Sequence, residues 1–210
     1  QHNGQPVQIA TYRDKTGKPC AQKIRTKDKN FSIVGDAKSM TLYGSHLFSK
    51  GRKLVVCEGE LDCISISQIQ GHKWATTSLI NGCQSAKKTL LANYDYLMGF
   101  KEIILFFDND APGRAAAIEC AEALPIGLAK IATLSEYKDA NEALVAGDTK
   151  AVVEAIFHAK EHRPDGIISA EDLRDVIGVS DAVSPITYPW DGLNKMSMGL
   201  RPASLVTVIA

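Results

Sequence analysis

The run Phe106-Phe107-Asp108-Asn109-Asp110 sets two carboxylates two positions apart at the end of an apolar stretch, Ile103 to Phe107. If that stretch is a buried β-strand, Asp108 and Asp110 point to the same side of extended backbone. Paired carboxylates of this kind seat a hard divalent cation. Leu54 to Cys57 repeats the design: a short apolar strand runs into Glu58-Gly59, whose glycine lets the chain turn sharply toward a helix. Glu58, Asp108 and Asp110 could therefore meet at one sheet edge, where they would repel one another unless a cation neutralised them. An all-oxygen set suggests magnesium, one or two ions, with water and phosphate completing the shell; manganese fits the same donors. Such an ion orients a triphosphate and can lower the pKa of an attacking hydroxyl, so the natural chemistry is phosphoryl transfer.

Some of the acids also have a structural reading. Asp110, just before Ala111-Pro112, could be only a helix cap. Asp62 follows Glu58 by one helical turn, and either supports a metal ligand from behind or is a first-turn carboxylate favoured by the helix dipole. Asp139-Ala140-Asn141-Glu142 has the form of a capping box. Lys138 and Arg114 could contact phosphate. Asn81-Gly82 is a tight turn or a loop closely approached by a nucleotide.

The elements that must position these residues form an alternation of strands and helices from Arg52 onward. KLVVC, WATTSLI, IILFF and AKIATL read as four strands, separated by helical stretches such as ELDCISISQIQG, AKKTLLANYDYLM and APGRAAAIECAEAL. DANEALVAG and TKAVVEAIFHAK add helices at the end. This is the arithmetic of an α/β unit with a mostly parallel sheet, which binds ligands at the carboxyl ends of its strands.

Residues 7 to 48 read instead as short strands and turns, with VQIATYRD and PCAQKIRT making a hairpin about Lys15-Thr16-Gly17-Lys18. Between Arg13 and Lys29 there are seven basic residues against two acidic ones. Lys23, Arg25, Lys27 and Lys29 would share one face of an extended strand. Alone, such a row is a solvated edge protected by lysines; beside a carboxylate site it suits triphosphates and single-stranded nucleic acid.

Composition narrows the classes. The 210 residues are 45% hydrophobic and 23% charged, with formal charge zero, so the chain does not bind nucleic acid by bulk charge, although a local basic groove is compatible. No stretch reaches about 18 apolar residues, and the first residues form neither a signal nor a transit peptide, which predicts a cytoplasmic protein without membrane partners. The five cysteines lack C-x-x-C spacing, so neither disulfides nor zinc are expected. The five histidines are dispersed, and nothing pairs a serine or cysteine with one for acyl transfer.

With Glu58-Gly59 and Asp108-Asn109-Asp110 in place, Lys53 to Gly147 resembles a TOPRIM domain, the fold of bacterial-type primases and of type IA and II topoisomerases. EGELD, LINGCQSAKKTLLANYDYL, IILFFDNDAPGRAA and YKDANEAL, preceded by YRDKTGKPCAQKIRTKDKNF, together resemble the RNA polymerase domain of phage-type primase-helicases. ITYPWDGLNKMSMGLRPASLVTVIA is similar to the opening of their RecA-like helicase domain.

The resemblance implies a basic, β-rich subdomain over 1–50, a TOPRIM catalytic domain over 51–162, a linker with a short helix over 163–184, and the start of a helicase domain over 185–210. It implies Glu58, Asp108 and Asp110 as catalytic metal-binding acids, with Asp62 and Asp139 supporting them. Lys23 and Lys29 become nucleotide-contacting lysines. The implied activity is synthesis of short RNA primers on single-stranded DNA from nucleoside triphosphates. The implied partners are an upstream zinc-binding module, a downstream helicase domain and neighbouring subunits of a ring. With no G-x-x-x-x-G-K-[ST] loop, the chain is expected to lack ATPase and helicase activity and to be part of a longer polypeptide. Two rivals remain at this stage: another TOPRIM enzyme, topoisomerase or nuclease, and a non-catalytic scaffold for a helicase ring.

Overall fold

The computed structural model describes residues 6–28, 30–163, 186–197, 199, 200, 205 and 207. It divides into two compact units, one reaching Asp165 and one starting at Gly166.

The first unit is built on β4 (Gly51–Cys57) and β6 (Phe100–Phe106), which pair in parallel. β5 (Ala75–Ser78) flanks β4, and β7 (Ala129–Ile131) flanks β6, both in parallel. The sheet order is β5-β4-β6-β7-β8, where β8 (Lys160–Glu161) is antiparallel. Alternation in the central strands sends Leu54, Val56, Ile103 and Leu105 to one face, and Val55, Cys57, Ile104 and Phe106 to the other. Both faces are buried, which is why these strands are apolar throughout. α2 (Ala86–Ala92) and α4 (Ala111–Glu122) cover the first face. The second face is covered by α1 (Glu60–Ile69), α5 (Ala140–Val145) and α6 (Thr149–Phe157). The expected α/β fold, a mostly parallel sheet between helices, is therefore observed.

Several elements differ from the sequence expectation. The sheet has a fifth strand, β8, because the last helix stops at Phe157; two polar residues carry no period to reveal a strand. AKKTLLANYDYLM forms two helices, α2 and α3 (Tyr94–Leu97), rather than one. Asn93 separates them, donating its side-chain amide to the Thr89 carbonyl at 2.8 Å, the local competition that disfavours asparagine within helices. At the N-terminus, β1 (Gln8–Arg13) and β2 (Pro19–Arg25) form the expected antiparallel hairpin. Asp14 Oδ1 shapes its turn by accepting from the Thr16 and Lys18 amides at 2.8 and 3.0 Å.

β2 ends at Arg25, however, so Lys27 falls in the following turn and the expected row of four cations is not one strand face. Lys29 lies outside the described residues. The turn delivers a third antiparallel strand, β3 (Phe31–Gly35), that periodicity did not single out.

The small sheet packs through Tyr12, Ala21 and Met40, with Tyr43 and Ile80 partly buried against them. Its attachment to the larger sheet is polar as well. Tyr12 donates its hydroxyl to Glu60 Oε1 at 2.6 Å, and Lys23 Nζ stands 2.8 Å from the same oxygen. Lys23 also donates to the Ile80 carbonyl at 2.8 Å.

In the second unit, Ile186 and Leu200 form an isolated antiparallel bridge around a short helix, Asp191–Ser197. Asn194 exchanges two hydrogen bonds with the Tyr188 backbone, both 2.7 Å. The helix expected over Ser169 to Ile177 lies outside the described residues, as does most of LRPASLVTVIA.

Candidate active site

Register brings the acids together. Cys57 pairs with Phe106, so Glu58 and Asp108 leave the carboxyl ends of adjacent parallel strands. Gly59 then starts α1, and Asp110 starts α4, its carboxylate accepting the Gly113 amide at 2.9 Å. The cap reading of Asp110 is thus correct as far as it goes, but Oδ2 of the same carboxylate faces Lys138 at 3.4 Å. Lys138 Nζ lies 3.0 Å from Asp108 Oδ2, so one ammonium bridges both aspartates. Its pKa is raised well above the lysine range, first by the hydrogen bond to Asp108 and then by that carboxylate's charge.

Asp108 itself is shifted upward, although its lysine should hold it down. Burial outweighs Lys138, with the charges of Asp139 and Asp110 adding to it. The buried aspartate is the harder group to charge, so the site favours a counter-cation more than the ion pair alone suggests. Asp110, more exposed, is lowered mainly by the Gly113 amide.

Glu58 is organised by the loop after β5. Cys83 donates its amide to Glu58 Oε1 at 3.3 Å, while the buried Oε2 has no hydrogen-bond partner. Gly82 has φ +66°, and a β-carbon there would stand 3.3 Å from Glu58 Oε1. Asn81-Gly82 is accordingly both a turn that needs glycine and a wall against the Glu58 carboxylate.

Asp62 and Asp139 hold helices. Asp62 accepts the Asn141 amide at 3.3 Å, tying α1 to α5, and Asp139 caps α5 through the Glu142 amide at 2.7 Å. Asp62 is nonetheless pushed up to about 7, chiefly by burial and then by the charges of Asp139 and Asp108. Arg114 donates to the Asn109 carbonyl and side-chain oxygen at 3.0 and 2.9 Å, bracing the loop between the two aspartates. Asn109 reaches the other way: its amide donates to the Lys138 carbonyl at 2.7 Å and its side chain to Leu134 at 2.6 Å.

A cleft of about 840 Å³ opens over this arrangement. It is lined by Glu58, Asp62, Asp108, Lys138 and Asp139, by Asn81 and Gly82 of the loop after β5, and by Lys23, Arg25 and Phe31 of the small sheet. Asp110 reaches this cleft only through Lys138, and neither Lys27 nor Arg114 lines it. Among the described residues, no three His, Cys, Asp or Glu side chains stand close enough to chelate one metal by themselves. The donors still fit a hard cation that keeps most of its water, because Glu58 Oε2 is unpaired and the aspartates already hold a cation between them. Sequence reasoning passed over Glu60, Gly113 and Phe31. Glu60 and Gly113 sit inside EGELD and DNDAPGRAA, so their proximity to the acids was the available signal; Phe31 had none beyond alternation with Ile33.

Two parallel strand ends carrying a glutamate and a D-x-D pair define a TOPRIM-type acidic site. Residues 55–144 match a Toprim-like family model, and residues 1–35 match the N-terminal α+β fold of the bacteriophage T7 DNA helicase/primase. The chain is 42% identical over 205 residues to the DNA helicase/primase of Enterobacteria phage T3, spanning 96% of this chain and 36% of that protein. The primase fragment of the bacteriophage T7 primase-helicase superposes with TM-score 0.70 at 43% identity, over 74% of this chain and 65% of that one. A structure of T7 lagging-strand DNA polymerase with the primase domains of two gp4 subunits matches at TM-score 0.72 and 42% identity, covering 76% and 81%. The chain belongs to the phage primase-helicase family and corresponds to its primase part. It spans about a third of the length of the T3 relative.

Proposed function

We propose that this chain synthesises short RNA primers on single-stranded DNA, as the primase part of a protein acting in the cytoplasm of an infected cell. The observation that carries the reading is the cleft itself, which Glu58, Asp108 and Lys138 line together with Lys23 and Arg25 around a space large enough for nucleotides. Glu58, Asp108 and Asp110 would hold magnesium, or manganese, with Asp62 and Asp139 fixing the helices behind them. Such an ion supplies charge neutralisation at the reacting phosphate.

The chain's own residues do the rest. Lys23 is anchored by Glu60 and the Ile80 carbonyl, so it offers a fixed positive charge rather than a searching one. Arg25 continues that charge along β2, and Asn81-Gly82 limits how far a phosphate group can approach Glu58. Lys138 keeps the aspartates paired in the free protein and becomes available to a phosphate once they are otherwise neutralised. The 3′-hydroxyl of one nucleotide attacks the α-phosphorus of the next triphosphate. A P–O bond forms, the bond to the β-phosphate oxygen breaks, the hydroxyl proton is lost and pyrophosphate leaves. The reading includes a zinc-binding module, a helicase domain and neighbouring ring subunits as partners in the complete protein.

The test is dinucleotide synthesis on a single-stranded template, with a zinc-binding module supplied separately. Asp108→Ala should reduce product by at least about 100-fold, the scale of losing a main electrostatic contributor to a reaction. Normal yield from that variant would refute the assignment.

A further inference from the structure

The part of the cleft supplied by the small sheet carries more than charge. In the antiparallel register, Arg25 pairs with Phe31 and Lys23 with Ile33, so one face of the small sheet alternates cations with apolar side chains. Phe31 remains 55% exposed beside the largely buried ion pair of Lys23 and Glu60. Its ring lies 4.9 Å from Lys23 Nζ and 5.5 Å from the Arg25 guanidinium carbon, measured to the centroid. It forms part of the 840 Å³ cleft and also of a smaller adjoining groove of about 280 Å³, which includes Ile9, Ala10 and Ile64. Ile9 and Ile64 are 52% and 46% exposed.

Cations that bind phosphate need no aromatic partner, and an aromatic kept only for packing would be covered. An exposed ring flanked by two cations is the arrangement that stacks a nucleobase while holding its phosphate. Resting on the primase reading above, we infer that Phe31 is a stacking platform for a nucleobase at the cleft rim, with Lys23 and Arg25 taking the attached phosphate. The base belongs either to the template strand or to a nucleoside triphosphate, and the two sources share this chemistry.

Binding measurements on the whole chain with Phe31→Leu and Phe31→Trp test the inference. The probes are a fluorescein-labelled oligodeoxynucleotide, ATP, and inorganic tripolyphosphate, which has the charge but no base. Leucine keeps apolar bulk and removes the π-face; tryptophan restores it. Phe31→Leu should weaken the oligonucleotide or ATP by roughly 5- to 100-fold, Phe31→Trp should bind like the parent, and tripolyphosphate should be indifferent to both. Loss with the oligonucleotide alone assigns the template base; loss with ATP alone assigns the triphosphate base. Equal binding by Phe31→Leu to both would overturn the inference and leave the primase reading standing. A matching loss for tripolyphosphate would also overturn it, because the ring would then serve only to hold Lys23 and Arg25. A parent chain that binds neither oligonucleotide nor ATP would overturn both.

Discussion

Asp108 and Asp110 are near in sequence, yet what they can do depends on Lys138, 28 to 30 positions later in the chain. D-x-D was legible as a cation seat. The resident ammonium between its carboxylates was not, because no local pattern links strand ends to the loop before α5. The glycines around these acids lead to a separate expectation. Gly82 adopts φ +66°, and a β-carbon there would press against Glu58 Oε1 at 3.3 Å. Gly82→Ala should therefore lower stability by about 1 kcal/mol or more and reduce primer synthesis in the same variant, read by urea denaturation and by dinucleotide yield. An activity loss without a stability change would show instead that the wall against Glu58, rather than the turn, governs the effect. Gly113 is tighter still, since a β-carbon there would overlap the Asp108 carbonyl. Gly113→Ala should cost more than Gly82→Ala in the same denaturation series.

Among the elements, β6 has a polar crossbar as well as an apolar core. Glu102 pairs with Lys53 on β4 at 3.4 Å and with Lys130 on β7, joining three strands at the end remote from the acids. Burial acts to raise the Glu102 carboxyl, but the hydrogen bonds and charges of Lys130 and Lys53 together hold it below the ordinary value. A lowered folded pKa contributes stability above the unfolded value of about 4.3, and that contribution disappears as pH falls through the folded value. Glu102→Gln should thus be less stable than the parent at pH 7, by roughly 1 kcal/mol after solvent screening, and equal to it near pH 2, in paired thermal melts. A difference that persists at low pH would mean lost packing rather than lost charge. The same scale explains the basic strand. Alternation correctly aligned Lys23 with Arg25, but it has no stop signal, and only the turn after Arg25 removed Lys27 from that face. β3 and β8 were invisible for related reasons: one presents an all-exposed edge, and the other is two residues long.

Across the first unit, acids that repel one another when free should make stability depend on the cation. With magnesium at about 100 times its Kd, linkage adds about 2.7 kcal/mol to the folded state. The melting temperature should rise in magnesium for the parent and not for the Asp108→Asn, Asp110→Asn double variant, as calorimetry would register. The single variant Asp108→Asn should also melt higher than the parent in chelator, because burial and neighbouring acids work against charging Asp108. An equal magnesium shift in both proteins would remove the aspartates from the cation site. At this scale the division between sequence and tertiary structure is physical. Runs of β-favouring residues and the carboxylates that end them are local, so an α/β fold, a mostly parallel sheet and Glu58, Asp108 and Asp110 at strand ends could be read from the chain before it was folded. Register, burial and the approach of distant loops are properties of the packed chain. That Lys138 bridges the aspartates, that Lys23 is anchored on Glu60 and that Phe31 lines the same cleft as the acids came from packing, because those contacts join residues whose separation in sequence carries no period.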